Sequence, residues 1–165
     1  MSDLPPAYPL TPPRARDDLP LVGAGSAAGI GARLAARVID MILLSLPFAP
    51  FTKIVNNQIS PHWVAFGTIV ATLVYDVVCV AGFGMTIGKR AFGIRVARYT
   101  DGGRPTPSQA ALRAVVPSMP TFLAYVPAID WIGIVSPLIY LSALVDPVRR
   151  GIHDKAAGTI VLRTR

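Results

Sequence analysis

Glutamate is missing from this chain of 165 residues, lysine is scarce beside arginine, and only 15% of residues are charged. Charge this sparse excludes an ordinary soluble surface when 52% of residues are hydrophobic and bunched in long blocks instead of spread at amphipathic spacing. Cysteine occurs once, at Cys79 within an apolar block, so no disulfide framework exists. The two histidines, His62 and His153, have no Cys or His at metal-ligand spacing, which leaves no support for a zinc site. The N-terminal region lacks the apolar core of a signal peptide, so the first apolar block is expected to be retained as an anchor.

Four apolar blocks are present, at about 34–51, 63–83, 110–126 and 128–145. A helical span needs roughly 20 residues and at least about 17, a length the second block meets comfortably. The first must absorb Arg37 and Asp40, the third contains Pro117 and Pro120, and the fourth contains Pro137, so these helices are expected to be kinked or tilted. A re-entrant hairpin turning at Pro127 is the alternative for the last two. Ahead of the blocks, residues 1–27 carry Pro5, Pro6, Pro9, Pro12, Pro13 and Pro20 and read as a disordered cytoplasmic tail, a spacer or a proline-rich ligand.

The net charge of +7 raises nucleic acid as a partner, but the placement of the basic residues argues against it. They flank the blocks. Lys53 stands alone between the first two, whereas Lys89, Arg90, Arg95, Arg98 and Arg104 lie between the second and third, and Arg149, Arg150, Lys155, Arg163 and Arg165 follow the fourth. With Arg14, Arg16 and Arg33 ahead of the first block, this bias puts both termini and the central loop in the cytoplasm, which requires an even number of spans. Trp63 and Trp131 then fall at the external ends. Lys89, Arg90, Arg149 and Arg150 are expected at lipid headgroups or a partner, at about 1 kcal/mol per basic residue near an anionic surface.

The loops have pattern too. Residues 94–99 alternate as a strand would, residues 159–162 form a second short strand candidate, and the two are expected to pair. Thr106, Pro107 and Gln109 make a helix start with a capping box, and Thr86 is available as another cap. Gly82, Gly84, Gly88 and Lys89 do not make a nucleotide loop: Phe83 stands where the first glycine belongs and Arg90 where Ser or Thr should follow the lysine.

The acids inside the blocks are the unusual residues. Asp40 lies roughly 9 Å and Asp76 roughly 10 Å along their helices from the cytoplasmic side, so they share a depth. Carboxylates in lipid are expensive, and both are expected to face the bundle interior, with Arg37, three positions before Asp40, as the nearest charge partner. Two readings stand: a polar clasp between helices, or a proton or cation site. Asp154 is close enough to the last block to fold back under the helix ends and hold Arg33 or Arg37. Ser118, Ser136 and Ser142 read as hydroxyls satisfied within helices, and no nucleophile and base pair points to an enzyme.

The runs Arg33-Leu-Ala-Ala-Arg37-Val-Ile-Asp40, Thr86-Ile-Gly88-Lys89-Arg90 with Gly93-Ile-Arg-Val96, Arg113 opening the third block, and Gly151-Ile-His153-Asp154-Lys155-Ala-Ala-Gly158-Thr159 resemble the RDD family of bacterial membrane proteins, over roughly residues 28–163. The resemblance assigns Arg37, Asp40 and Asp154 to the arginine and two aspartates of the family name, with Asp76 as the other choice for the last. It implies a multi-pass protein of the bacterial cytoplasmic membrane, for which transport, and in some members cation/proton antiport, has been proposed; no substrate carries over.

The expected architecture is therefore an all-α membrane protein, a four-helix transmembrane bundle over residues 28–165 with a small cytoplasmic loop and strand element. The expected function is support for transport of an unidentified ligand or ion, centred on Arg37, Asp40, Asp76 and Asp154. The alternative is a non-transporting adaptor or assembly factor that binds anionic lipid or a partner protein. The expected partners are the bilayer, anionic lipids, and a second copy or another membrane protein, without cofactor, metal or nucleic acid. A topology reporter fused after Arg165 or inserted near Gly102 should report cytoplasm and one near Asn57 the outside; an external signal at Gly102 overturns the orientation.

Overall fold

The computed structural model describes residues 11–55, 61–126 and 129–165. The chain is mostly helical, with one two-stranded sheet. Helix α1 (Ile30–Val55) is followed by α2 (Pro61–Phe83), the short α3 (Ile87–Ala91), strand β1 (Ile94–Arg98), α4 (Pro107–Leu123), α5 (Val135–Leu141), α6 (Ile152–Ala156) and strand β2 (Thr159–Arg163). Asn57 and the turn expected at Pro127 lie outside the described residues.

Helix α2 is long and apolar enough to cross a membrane: its 23 residues reach about 34 Å, and the window Phe66–Phe83 has a mean hydropathy of 1.9. Its Thr68 and Thr72 hydroxyls donate to the carbonyls of Val64 and Thr68, one turn back, so neither hydroxyl is left unpaired against an apolar medium. Helix α1 is longer, at 26 residues, and starts earlier than the first apolar block predicts because Ile30–Arg33 already lie in helical register. It also continues through Lys53, which the block boundaries put in a loop. The third block forms a shorter helix ending at Leu123, and its capping box is present: Thr106 Oγ1 accepts from the Gln109 amide at 3.3 Å while Gln109 Oε1 accepts from the Thr106 amide at 3.0 Å.

The fourth block is not one helix. A 3-10 segment, Asp130–Ile134, leads into α5, and a second, Ser142–Leu144, leaves it. Pro137 falls in the first turn of α5, where its missing N–H costs no intrahelical hydrogen bond, whereas α4 runs unbroken through Pro117 and Pro120.

Each helical block shows a face that the protein does not cover. Phe66, Val70, Val74 and Val78 on α2, Leu112, Val115, Met119 and Leu123 on α4, and Val38, Ile42 and Leu46 on α1 are exposed at helical spacing. The buried core lies elsewhere, around the sheet. β1 and β2 pair antiparallel with Ile94 opposite Arg163 and Arg98 opposite Thr159, as the alternating pattern predicts. Ile94, Val96, Ala97, Ile160, Val161 and Leu162 are completely buried, because the sheet is covered on both faces. On one side Ile94, Val96 and Val161 pack with Ala28 ahead of α1 and with Ala36, Val80 and Ala110 from the helices; on the other, Ala97, Ile160 and Leu162 pack with Leu19 and Val148. Each large apolar side chain so buried contributes about 1.5–3 kcal/mol.

The described part of the N-terminal tail departs from the disordered reading. Residues 25–28 run along β2 as a third strand edge, the Gly25 and Ala28 amides donating to Arg163 and Val161 carbonyls at 3.0 and 2.9 Å and the Arg163 amide donating to Ser26. Leu19 is buried and the Tyr99 hydroxyl donates to the Pro13 carbonyl. Backbone pairing and one buried leucine thus overcome a composition that by itself predicts disorder.

Two glycines set how the sheet meets the helices. Gly84, at φ +72°, ends α2 in a left-handed turn and its carbonyl accepts from the Val96 amide at 2.7 Å, joining α2 to β1. Gly88 lets α3 press directly against α1: a Cβ there would sit 2.1 Å from the Ala36 carbonyl oxygen and 2.9 Å from Asp40 Cγ. Gly88→Ala should therefore cost at least the about 1–3 kcal/mol typical of overpacking. The check is a lower melting temperature of the detergent-purified protein, while Gly67→Ala, where nothing lies within 4 Å, leaves it unchanged.

Candidate functional site

The charged residues within and beside the helices form three linked groups. In the first, Asp40 is 1% exposed and its carboxylate is fully engaged. Oδ1 accepts from the Tyr75 hydroxyl at 2.9 Å and the Gly88 amide at 2.8 Å, and Oδ2 accepts from the Thr86 hydroxyl at 2.5 Å. Thr86 caps α3, as expected, by accepting from the Lys89 amide. Asp40 thus joins α1, α2 and α3 through three hydrogen bonds, none of them to a charged group.

The second group corrects the expected Arg37–Asp40 pair. Arg37 reaches across to α2 and pairs with Asp76, while its guanidinium lies 5.7 Å from the Tyr140 ring centroid on α5. The other oxygen of Asp76, Oδ1, is buried and has no hydrogen-bond partner among the described residues. Lys89 is within electrostatic reach of Asp76; burial holds its ammonium down to about 8, although Asp76 opposes that shift and Arg113 and Arg37 assist it.

The third group centres on Asp154, which has no exposed surface. Arg33 of α1 donates to it at 3.1 Å, Arg113 of α4 donates to it, and so does the Gly151 amide at 3.2 Å. Burial would raise the carboxyl, but Arg113, His153 and Arg33 hold it well below the usual carboxylate range. Asp154 does fold back under the helix ends, as its place in the sequence predicts, but to Arg33 and Arg113 and not to Arg37. His153 packs against Tyr140 in a tilted contact, 4.8 Å between ring centroids, and burial holds its imidazole down at about 4 despite the neighbouring Asp154. Asp154, His153, Tyr140, Arg37 and Asp76 therefore make one continuous polar seam, with Tyr75 leading to Asp40.

Sequence reasoning passed over Arg113, Tyr75 and Tyr140 as members of this seam. An arginine opening an apolar helix and a tyrosine adjoining Asp76 were the available signals. Of the basic residues expected at headgroups, Arg90 is exposed, but Arg150 is turned inward, 3.6 Å above the Tyr99 ring and donating to the Thr159 carbonyl at 3.0 Å. Its guanidinium is thus engaged within the protein by an aromatic ring and a carbonyl. Lys89 is partly buried beside Thr86 and Asp76, and Arg149 is half-buried. Ser118 and Ser142 donate to carbonyls of their own helical segments, and Ser136 bonds Thr121 at 2.7 Å.

Apolar helical faces left uncovered, one helix of spanning length and hydropathy among the described residues, and charges gathered into an internally paired seam point to a helical membrane protein. The chain belongs to the RDD family, whose model matches residues 27–158. No curated protein and no solved structure matches it.

The third group makes stability depend on pH. His153 holds its proton less well folded than unfolded, so stability falls as pH drops from about 6.5 toward about 4, by at most about 1.4 kcal/mol per pH unit. Asp154 adds a further loss once the pH falls below the ordinary carboxylate range, because its folded form resists protonation. Melting curves of detergent-purified protein between pH 7 and about 4 should show the first decline, and His153→Phe should flatten it.

Proposed function

We propose that this is a multi-pass transport protein of the bacterial cytoplasmic membrane, coupling a monovalent cation to a proton at the Arg37–Asp76–Lys89 group. The observation that carries this reading is the free, buried Oδ1 of Asp76 opposite an oxygen already held by Arg37, with a lysine poised near neutrality beside it. A cation that settles on that oxygen withdraws negative charge from Lys89 and favours release of its proton; protonation of Lys89 disfavours the cation by the same amount. The two ions then compete for one site, as exchange requires. Asp40 and Asp154, with their oxygens filled by donors from several elements, act as clasps that hold the exchange site together.

In this reading the helical blocks are four spans with both termini in the cytoplasm. The uncovered apolar stripes on α1, α2 and α4, and Ile134, Leu138 and Leu141 around α5, support it. Four helices are few for a complete pathway, so the working unit is a self-associated protein or a complex with a membrane partner. No catalytic role is part of the proposal. The second reading, a non-transporting adaptor or assembly factor, draws on the internal pairing of Asp40 and Asp154, which a purely structural polar core would also show.

Reconstitution into vesicles with a pH-sensitive dye, challenged with sodium, potassium and lithium gradients, separates the two. Wild type should move protons in response to at least one cation. Asp76→Asn should abolish that flux while keeping expression and fold; Asp40→Asn should instead lower the melting temperature. Full proton flux in Asp76→Asn sinks the exchange reading, and absence of flux in wild type together with a co-purifying membrane protein favours the adaptor.

A further inference from the structure

We propose that a shallow cavity beside the entrance of α1 binds the phosphate of an anionic phospholipid headgroup, with Arg149 and Arg163 as its two grips and Leu21 and Val22 as an apolar rim. The cavity, of about 210 Å³, lies between the N-terminal segment, the turn before α6 and the end of β2, and all four residues line it. That is several times the about 30 Å³ that one water occupies in the liquid, enough for a phosphate group.

The two arginines differ from the arginines paired elsewhere in the chain. Arg33 and Arg113 are committed to Asp154, Arg37 to Asp76, Arg98 to Asp101 and Arg150 to Tyr99 and Thr159. Among the described residues, neither the Arg149 nor the Arg163 guanidinium has a hydrogen-bonding or acidic partner. The nearest acid in sequence, Asp146, does not neutralise Arg149: its oxygens hold Lys155 Nζ at 2.5 Å and the amides of Val148 and Arg150 at 3.0 Å.

Backbone strain is kept at the same point. Arg149 is the one non-glycine residue at positive φ, +58°, among the described residues. A side chain rarely adopts that conformation, and such outliers concentrate where a side chain must be aimed. Arg149 is aimed at the helix entrance, its Nη1 3.7 Å from where a Gly29 Cβ would stand, one residue before α1 begins.

The rim supplies the reason to assign a lipid over a soluble anion. Leu21 and Val22 are 67% and 80% exposed beside the arginines, and Leu144 and Val145, on the approach to Arg149, are 64% and 88% exposed. Paired cations flanked by uncovered apolar side chains, at the point where a membrane helix starts, match a phosphate with acyl chains below it. This placement rests on the reading that α1 enters the bilayer there.

The test is a lipid titration of the detergent-purified full chain, following the melting temperature and the apparent affinity for phosphatidylglycerol, phosphatidylcholine and inorganic phosphate. Wild type should be stabilised by phosphatidylglycerol alone. Arg163→Gln should weaken that affinity about fivefold and the Arg149→Gly, Arg163→Gln pair about thirtyfold. Without lipid, Arg149→Gly should melt no lower than wild type, since glycine accepts the backbone angle; Arg149→Asn is the second variant, because asparagine also tolerates it. Equal response to phosphatidylcholine, unchanged affinity in the double variant, or equal protection by inorganic phosphate each overturns the proposal. No ion gradient enters the titration, so a failed flux assay leaves this result standing, and the reverse holds too.

Discussion

The buried carboxylate of Asp154 is the point on which the helices and the sheet both hang. It draws Arg33 from the start of α1 and Arg113 from α4 to one place, beside the first residue of β2, and each guanidinium brings its helix with it. Desolvating these charges is costly, and the cost is offset only while all of them are together. Removing the acid would leave two cations facing each other in a region with little water. The consequence is a tight coupling between sequence ends: residues near 30 and residues near 160 are neighbours, and the segment entering α1 can lie along β2 because the ion pairs already hold both there.

Asp40 works differently. Its oxygens are filled by neutral donors, two of them from the α3 turn, so it acts as an anion at the start of a short helix belonging to another part of the chain. Such a contact demands that backbone approach backbone, which is why a glycine stands at position 88. Between these two clasps lies the Arg37–Asp76 pair, where one carboxylate oxygen has no partner among the described residues. The seam thus joins two ends whose carboxylates are filled by donors to a middle in which, among the described residues, one carboxylate oxygen is left over, and the proposed exchange reading rests on that middle.

The distribution of burial follows from two different surroundings. Helix faces bearing Val70, Val74 and Met119 need no protein cover if lipid supplies it, so the chain spends its densest packing on the small sheet, whose strands are buried on both faces as in a core covered by helices and loops. That explains why the most apolar segments are among the least buried within the protein, and why a five-residue strand such as Thr159–Arg163 carries its most complete burial.

Much of this was legible in the sequence because it depends on local chemistry. Apolar block length located α2; a threonine three residues before glutamine located the start of α4; alternation and flanking glycines located β1 and β2. The resemblance carried by the Arg33–Asp40 and Gly151–Thr159 runs identified the family. The partners of the charges were a different matter. Helical spacing makes Arg37 and Asp40 neighbours on one face, but a long arginine side chain can as easily cross to another helix, and only the packing of α1, α2 and α4 decided that Arg37 meets Asp76 and that Arg113 meets Asp154. The fate of residues 11–27 was hidden for the same reason: their composition gives no cause to fold, and the cause is the exposed edge of β2, which exists only once the two ends of the chain have been brought together. Sequence by itself determined which segments are long and apolar and where α4 and the two strands begin; tertiary structure decided which buried charges neutralise one another, because that choice is set by distances between elements that no local pattern encodes.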